Sequence, residues 1–314
     1  MVKKRGFEAA YLPLYRSGEL EQRVEAAYEH LHDCDLCGRQ CSVDRTVEMG
    51  ACNTGRRPKV ASYGPHFGEE DPLRGQRGSG TIFFAWCNLS CQYCQNYDIS
   101  QQGRGDVIDP EELAHMMLSL QGRGCHNINL VSPTHVVAPI LEAVLRAAEA
   151  GLRLPLVWNT GGYESLAALH LLEGVVDIYM PDIKYADAAV GLRYSGISSY
   201  PQVNQAAVKE MHTQVGDLVM DSRDIALRGL LVRHLVLPGG LAGTGEIAAF
   251  LADEVSKDTY INIMDQYRPC YNAHDLPPLD RPITAEEYSE AVREASKAGL
   301  HRFDRRRPRF LGTL

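Results

Sequence analysis

The chain has 314 residues, 45% of them hydrophobic, and a formal net charge of −8. That is enough apolar material for a large buried core, and the acidic balance argues against nonspecific nucleic-acid binding. No apolar run reaches the roughly 18 residues of a membrane-crossing helix, and the start MVKKRGFEAAYLPLY lacks the apolar stretch and cleavage site of a signal peptide.

In chain order, residues 1–32 read as a helical arm in which ELEQRVEAAYEHLH is amphipathic. Residues 33–79 are rich in Cys, Gly, Pro and charge. They read as a loop-dominated, metal-binding module that needs something besides a core to hold it. From residue 80 to 275 apolar strands alternate with helices. The predicted strands are GTIFFAW (80–86), NINLVS (127–132), LPLVWN (154–159), VDIYMPD (176–182), GLLVRHLVL (229–237) and TYINIMDQY (259–267). Their near-continuous hydrophobicity fits parallel strands covered on both faces.

The helices between them carry start signals. Asp109 is a predicted N-cap, with Pro110 at the first helical position and Glu112 completing a capping box. Leu113, Met116, Met117 and Leu120 then recur at helical spacing. APILEAVLRAAEAG, YESLAALHLLEG, YPQVNQAAVKEMHTQVG and GEIAAFLADEV supply the next helices. Residues 276–314 hold a last helix, capped by Thr284 with Glu287 in the box position, and the basic tail HRFDRRRPRF, read as a solvated terminus. Six βα units predict an α/β fold with right-handed crossovers: an open six-stranded (β/α)6 partial barrel with an N-terminal cysteine-rich module.

Nine cysteines in a chain without export signals point to metal binding in a reducing, cytoplasmic compartment rather than to disulfides. Cys125 and Cys270 are isolated and read as small buried hydrophobes. Cys87, Cys91 and Cys94 follow the first strand of the array in a C-x3-C-x2-C spacing, within FFAWCNLSCQYCQNYDIS. A structural zinc site wants four ligands, and an electron-transfer cluster takes four thiolates. Three thiolates on a four-iron cluster leave one iron open to a ligand bearing an amine and a carboxylate.

That spacing, with Tyr93 just before the last cysteine, resembles the signature of the radical S-adenosylmethionine (SAM) superfamily. SGTIFFAWCNLSCQYCQNYDIS is similar to the pyruvate formate-lyase activating enzymes. Stretches such as HFGEEDPLRGQRGSGTIFF, NTGGYES, DIYMPDIKY, HLVLPGGLAGT and NIMDQYRPCY resemble, over about residues 33–275, a group of uncharacterised iron–sulfur proteins related to that enzyme.

The resemblance implies that Cys87, Cys91 and Cys94 hold a [4Fe–4S] cluster. Reduced, it cleaves SAM to methionine and a 5′-deoxyadenosyl radical, which abstracts hydrogen from a substrate. An oxidoreductase of this kind draws its electron from a donor such as flavodoxin or ferredoxin. The implied substrate is a protein, a glycine of a partner glycyl-radical enzyme; radical modification of a small molecule or another protein is the alternative. A non-catalytic iron–sulfur or zinc scaffold is the reading from a different class, and it predicts no SAM binding.

Parallel-barrel enzymes place their chemistry at the C-terminal ends of strands. After the second strand comes SPTH, where the activating enzymes carry Gly-Gly-Glu; Ser132 and Thr134 are candidate substitutes toward the methionine amine, and His135 faces the substrate in this reading. By position, Asn159 and Thr160 match residues that help hold a monovalent cation, with Asn in place of a carboxylate. Asp182 matches the cation-binding Asp, Met180 a backbone contributor and Lys184 a contact to the methionine carboxylate. Arg233 offers a bidentate clamp for the same carboxylate, whereas His234 points to the opposite face as a core histidine. Asp265, Gln266 and Tyr267 stand at the adenosine or substrate end. Upstream, Cys34, Cys37, Cys41 and Cys52, in C-x2-C-x3-C-x10-C, suit zinc or a second iron–sulfur cluster.

Overall fold

A computed structural model describes residues 7–304. The strands are β1 (Lys59–His66), β2 (Ser79–Phe84), β3 (Asp106–Val107), β4 (Ile128–Val131), β5 (Leu156–Thr160), β6 (Ile178–Pro181), β7 (Val219–Met220), β8 (Ala226–Leu235), β9 (Tyr260–Met264) and β10 (Arg302–Phe303). All six predicted strands form, as β2, β4, β5, β6, β8 and β9, and they are parallel neighbours in that order. β1 runs antiparallel on the outer edge of β2 and carries β3 beyond it. At the opposite edge β10 adds a further parallel strand to β9, so the parallel set exceeds the expected six.

β10 also corrects the reading of HRFDRRRPRF as solvated throughout. Its first residues dock because they have partners: Arg302 Nη2 donates to the Leu218 carbonyl at 2.7 Å, and the Asp304 carboxylate accepts from Tyr260 Oη at 3.1 Å. Residues 305–314 of that tail, and residues 1–6, lie outside the described residues. The stretch read as loop-dominated contains β1 and the short helix Asp71–Arg74.

Alternation along the strands divides the apolar residues between two cores. Leu156 and Trp158 of β5, Tyr179 of β6, and Leu230 and Val232 of β8 face the large core under the helices. Val157, Ile178, Met180 and Leu231 face the other side, where Leu73 from helix Asp71–Arg74 closes over them with Tyr260. A strand buried on both faces needs apolar residues at consecutive positions, which is why the runs read as continuous. Further along the same inner faces, two residues on, stand Asn159, Asp182 and Arg233. The inner face therefore turns from apolar to polar as the strands approach their C-terminal ends.

Helices Pro110–Gly122, Val137–Glu149, Leu166–Leu172 and Tyr200–Val215 cover the outer face. Both predicted capping boxes form: Asp109 accepts from the Glu112 N–H at 2.9 Å, and Thr284 from the Glu287 N–H at 3.2 Å. His234 is the satisfied core residue expected, between the Ile183 carbonyl (2.8 Å) and Thr244 Oγ1 (2.9 Å). No helix among the described residues is long and apolar enough to cross a membrane.

The N-terminal helices, Tyr11–Ser17 and Glu19–Glu29, are tied to the sheet by one buried carboxylate. Asp177 accepts from the Ala10 N–H at 2.9 Å and from the Leu156 N–H at 3.0 Å. Burial pushes its carboxyl up to about 7, against the pull of those two N–H groups and of Arg228. Because the folded value lies above that of an unfolded Asp, the group's contribution is complete below about pH 4 and is lost as pH rises through 7. The expected size is roughly 4 kcal/mol. Urea unfolding of Asp177→Asn should be flatter across pH 4–8 than that of the wild type. An unchanged pH slope would assign the titration to another group.

Candidate functional site

The loop after β2 delivers the three cysteines. Its path is set by Ala85, whose N–H donates to the Lys59 carbonyl (2.8 Å), and by Asn88, whose Nδ2 donates to the Tyr163 carbonyl (2.8 Å). Cys87 Sγ then accepts from the Leu89 N–H at 3.4 Å, Cys91 Sγ from Ser195 Oγ at 3.0 Å, and Cys94 Sγ lies 3.1 Å from Ser100 Oγ. All three line one cavity of about 380 Å³, together with residues at the C-terminal ends of β4, β5, β6, β8 and β9. Tyr93 is buried in its wall, edge-on to Tyr185 and Tyr267. Burial pushes the Cys87 thiol up to about 12 and raises that of Cys91. Thiolates here need a positive partner to form, as bound metal provides.

Across the cavity stands a charged network. Asp182 accepts from Lys184 Nζ at 2.6 Å on one oxygen and from Arg233 Nε at 2.8 Å on the other. Arg233 Nη2 donates to Asn159 Oδ1 at 2.7 Å. Burial alone would raise Asp182, but the charges of Arg233 and Lys184 outweigh it and hold the carboxyl below its usual value. Burial alone would lower Lys184; the Asp182 carboxylate outweighs it and holds the ammonium well above the usual value. Tyr200 and Asn204 brace the floor: Tyr200 Oη donates to the Gly161 carbonyl (2.9 Å), and Asn204 Nδ2 to the carbonyls of Gly162 (3.0 Å) and Asp182 (2.9 Å). Gly162 has φ 74°, and a Cβ there would lie 2.1 Å from Asn204 Nδ2. Only glycine fits that turn.

These residues fit an iron–sulfur cluster better than a bare ion. Among the described residues no three His, Cys, Asp or Glu side chains are gathered closely enough to hold one metal ion. A cubane sets its thiolate ligands wider apart, and hydroxyl and N–H donors aimed at the sulfurs are contacts that tune such clusters. The cavity also lies within the range of about 300–1,000 Å³ usual for small-molecule sites.

The family model for the Radical SAM superfamily matches residues 81–210, the stretch that contains Cys87, Cys91, Cys94, Asp182 and Lys184. The chain carries a radical SAM superfamily domain. Such a domain implies an enzyme with a [4Fe–4S] cluster and SAM. An uncharacterized protein of Methanocaldococcus jannaschii is 32% identical over 294 residues, covering 90% of this chain and 79% of that protein. Among solved structures, a radical SAM methyltransferase from Sphaerobacter thermophilus is 15% identical with a TM-score of 0.49, over 72% of this chain and 67% of that one. Streptococcus suis SuiB bound to precursor peptide SuiA is 10% identical with a TM-score of 0.44, over 69% and 46% of the two chains. SuiB bound to S-adenosylmethionine is 9% identical with a TM-score of 0.42, over 67% and 46%.

The structure gathers some of the residues singled out by sequence and separates others. Ser132, Asn159, Thr160, Asp182, Lys184, Arg233 and Gln266 line the cavity with the cysteines. Ser132 sits at φ 56°, its N–H on the Asn159 carbonyl at 2.8 Å. Thr134 is turned away: its hydroxyl donates to Glu164 Oε1 at 2.5 Å, beside that of Thr160. His135 does not face the substrate cavity; its Nε2 lies 2.9 Å from the Ala85 carbonyl on the far side of the loop. Tyr267 Oη donates to the Leu279 carbonyl at 2.6 Å in the core, and Asp265 lies off the cavity wall. Both Asp182 oxygens and Asn159 Oδ1 accept from Lys184 or Arg233, and each oxygen keeps a second lone pair. The clamp expected from Arg233 is directed onto Asp182 and Asn159.

Glu69 and Glu70 were missed. They follow β1, line the cavity, and their charges add to that of Asp182 in stabilising the Arg233 cation. The adjacent acids in HFGEEDP were visible, but nothing local places them opposite β8. Cys34, Cys37, Cys41 and Cys52 line a separate cavity.

Proposed function

We propose that this protein is a radical SAM enzyme in which Cys87, Cys91 and Cys94 hold the [4Fe–4S] cluster and the β5–β6–β8 network seats SAM. In this reading residues 80–275 are the catalytic unit, an open partial barrel, with 33–79 a metal-binding module and 1–32 and 276–314 flanking it. The observation that carries it is the convergence of three thiols, Lys184 and Asp182 on one cavity at the C-terminal strand ends. Bound together and supplied with one electron, the cluster and SAM yield methionine and a 5′-deoxyadenosyl radical that takes hydrogen from a substrate.

The chain's own residues set the geometry for that chemistry. Lys184 commits one ammonium N–H to Asp182, and its other two are available to a methionine carboxylate. Asp182 and Arg233 fix the direction of that ammonium. The Ser132 turn brings backbone polar groups to the methionine amine. Tyr93 and Gln266 bound the adenosine side. A glycine of a partner glycyl-radical enzyme is the substrate favoured by the resemblance to activating enzymes, with flavodoxin or ferredoxin as donor; a small molecule or another protein is the alternative.

The test is an anaerobic assay of cluster-loaded protein with SAM and dithionite. The expected products are 5′-deoxyadenosine and methionine. Absence of SAM binding by protein with a full iron complement would overturn the reading in favour of a scaffold.

A further inference from the structure

The four cysteines ahead of β1 form a second constellation that the proposed reaction does not use. Cys34, Cys37 and Cys52 are buried and Cys41 half-buried, and all four wall a single cavity with Arg45 and His135. The loop is wound tightly around it. Cys34 N–H donates to the Val43 carbonyl at 3.1 Å, Ser42 N–H to the Cys34 carbonyl at 3.1 Å, and Gln40 N–H to the Cys37 carbonyl at 3.0 Å.

Two buried polar groups in the wall point to an occupant. Arg45 is 3% exposed. Its guanidinium donates to the carbonyls of Thr54 (2.9 Å), Gly55 (2.8 Å) and His135 (2.7 Å), and its Nη1 lies 3.7 Å from Cys34 Sγ. None of these partners carries a carboxylate charge, although a buried cation demands a counter-charge. Four thiolates on a metal centre carry net negative charge and supply it. His135, 2% exposed, gives its Nε2 proton to the Ala85 carbonyl, which leaves Nδ1 as a bare lone pair; Nδ1 is buried without a partner. Sulfur and imidazole nitrogen together are donors for zinc or iron.

Room decides between these metals. In a closed zinc site the Zn–S distance of about 2.3 Å brings the sulfurs to about 3.8 Å from one another, in mutual contact, with no space for water. Here about 10 Å³ of free space remains in the cavity, where a closed zinc site leaves none, and among the described residues no three donors are spaced for a single ion. The same is true of Cys87, Cys91 and Cys94. We propose that Cys34, Cys37, Cys41 and Cys52 hold a second iron–sulfur cluster, with Arg45 as its buried counter-charge. The assignment does not depend on the chemistry of the first site. It also gives the module its attachment: Gly38 N–H donates to the Tyr163 carbonyl (3.2 Å) and Arg39 Nε to the Asn88 carbonyl (2.6 Å), next to Cys87.

The test uses the full chain in which Cys87, Cys91 and Cys94 are all changed to Ala, loaded anaerobically with iron and sulfide in the presence of zinc. About four irons and four sulfides per chain, with a paramagnetic signal on dithionite reduction, are expected. One zinc without iron, or no metal, would overturn the proposal. Should the triple variant fail to fold, the wild type carries the same decision: about eight irons supports two clusters, and about four irons with one zinc overturns the second. Arg45→Gln should lower the midpoint potential of the N-terminal cluster and leave that of the other unchanged. No shift would remove Arg45 from its role. Failure of the proposed catalytic function looks different, as full iron without SAM binding.

Discussion

Cys91→Ala is expected to abolish both the assembly of the cluster at residues 87–94 and the release of 5′-deoxyadenosine. Cys91 is the most enclosed of the three thiols, 7% exposed, and its sulfur accepts the Ser195 hydroxyl at 3.0 Å. Removing it leaves Cys87 and Cys94, too few to keep a four-iron cluster that already lacks a fourth protein ligand. Iron at this site should fall from about four per chain to below one. Deoxyadenosine formation should fall by at least about a thousand-fold, since groups acting as one unit fail together. Cys125→Ala provides the contrast. Cys125 is buried but isolated from both cysteine cavities, so its loss should change stability modestly and leave iron and turnover intact. Deoxyadenosine production retained by Cys91→Ala would sink the cluster assignment.

Lys184→Met is expected to weaken SAM binding by about a hundred-fold without loss of iron, the effect of removing charge-assisted hydrogen bonds worth about 2–3 kcal/mol. Asp182 keeps Arg233 as partner in that variant, so the fold should hold. Isothermal titration of anaerobic, cluster-loaded protein measures the change. Affinity equal to that of the wild type would remove Lys184 from the carboxylate site. Arg233→Ala should behave differently. Its guanidinium is bound to Asp182 and Asn159 and faces Glu69 and Glu70, and removing one partner of a buried ion pair costs about 3–5 kcal/mol. That loss should appear first as a lowered Tm, not as a selective change in SAM affinity.

The contrasting contacts of these two neighbouring cations are not legible in the chain. Both Lys184 and Arg233 stand at strand ends with the parity of the inner face, and the local sequence suits both to the same carboxylate. Only the pairing of β6 with β8 decides that Arg233 reaches Asp182 and Asn159 while Lys184 keeps two ammonium hydrogens for the cavity. His135 and Thr134 illustrate the same limit. The turn SPTH was visible, but which of its side chains enters the cavity depends on the loop after β2 and on Glu164, 30 residues from Thr134. Glu69 and Glu70 reach β8 because the segment after β1 folds over the inner face behind Leu73.

What the sequence by itself determined are the features written in short-range signals: the six parallel strands, whose burial on both faces demands continuous apolar runs; the capping boxes at Asp109 and Thr284; the satisfied, core-facing His234; and the C-x3-C-x2-C loop. Each of these depends on residues within a few positions of one another. Only the tertiary structure decided the seventh parallel strand at β10, the Leu73 plug, the Asp182–Arg233–Asn159 network and the inward-facing Arg45. Each of those is a contact between segments far apart in the chain, set by packing and by charges seeking partners across the fold, and no local period or spacing encodes it.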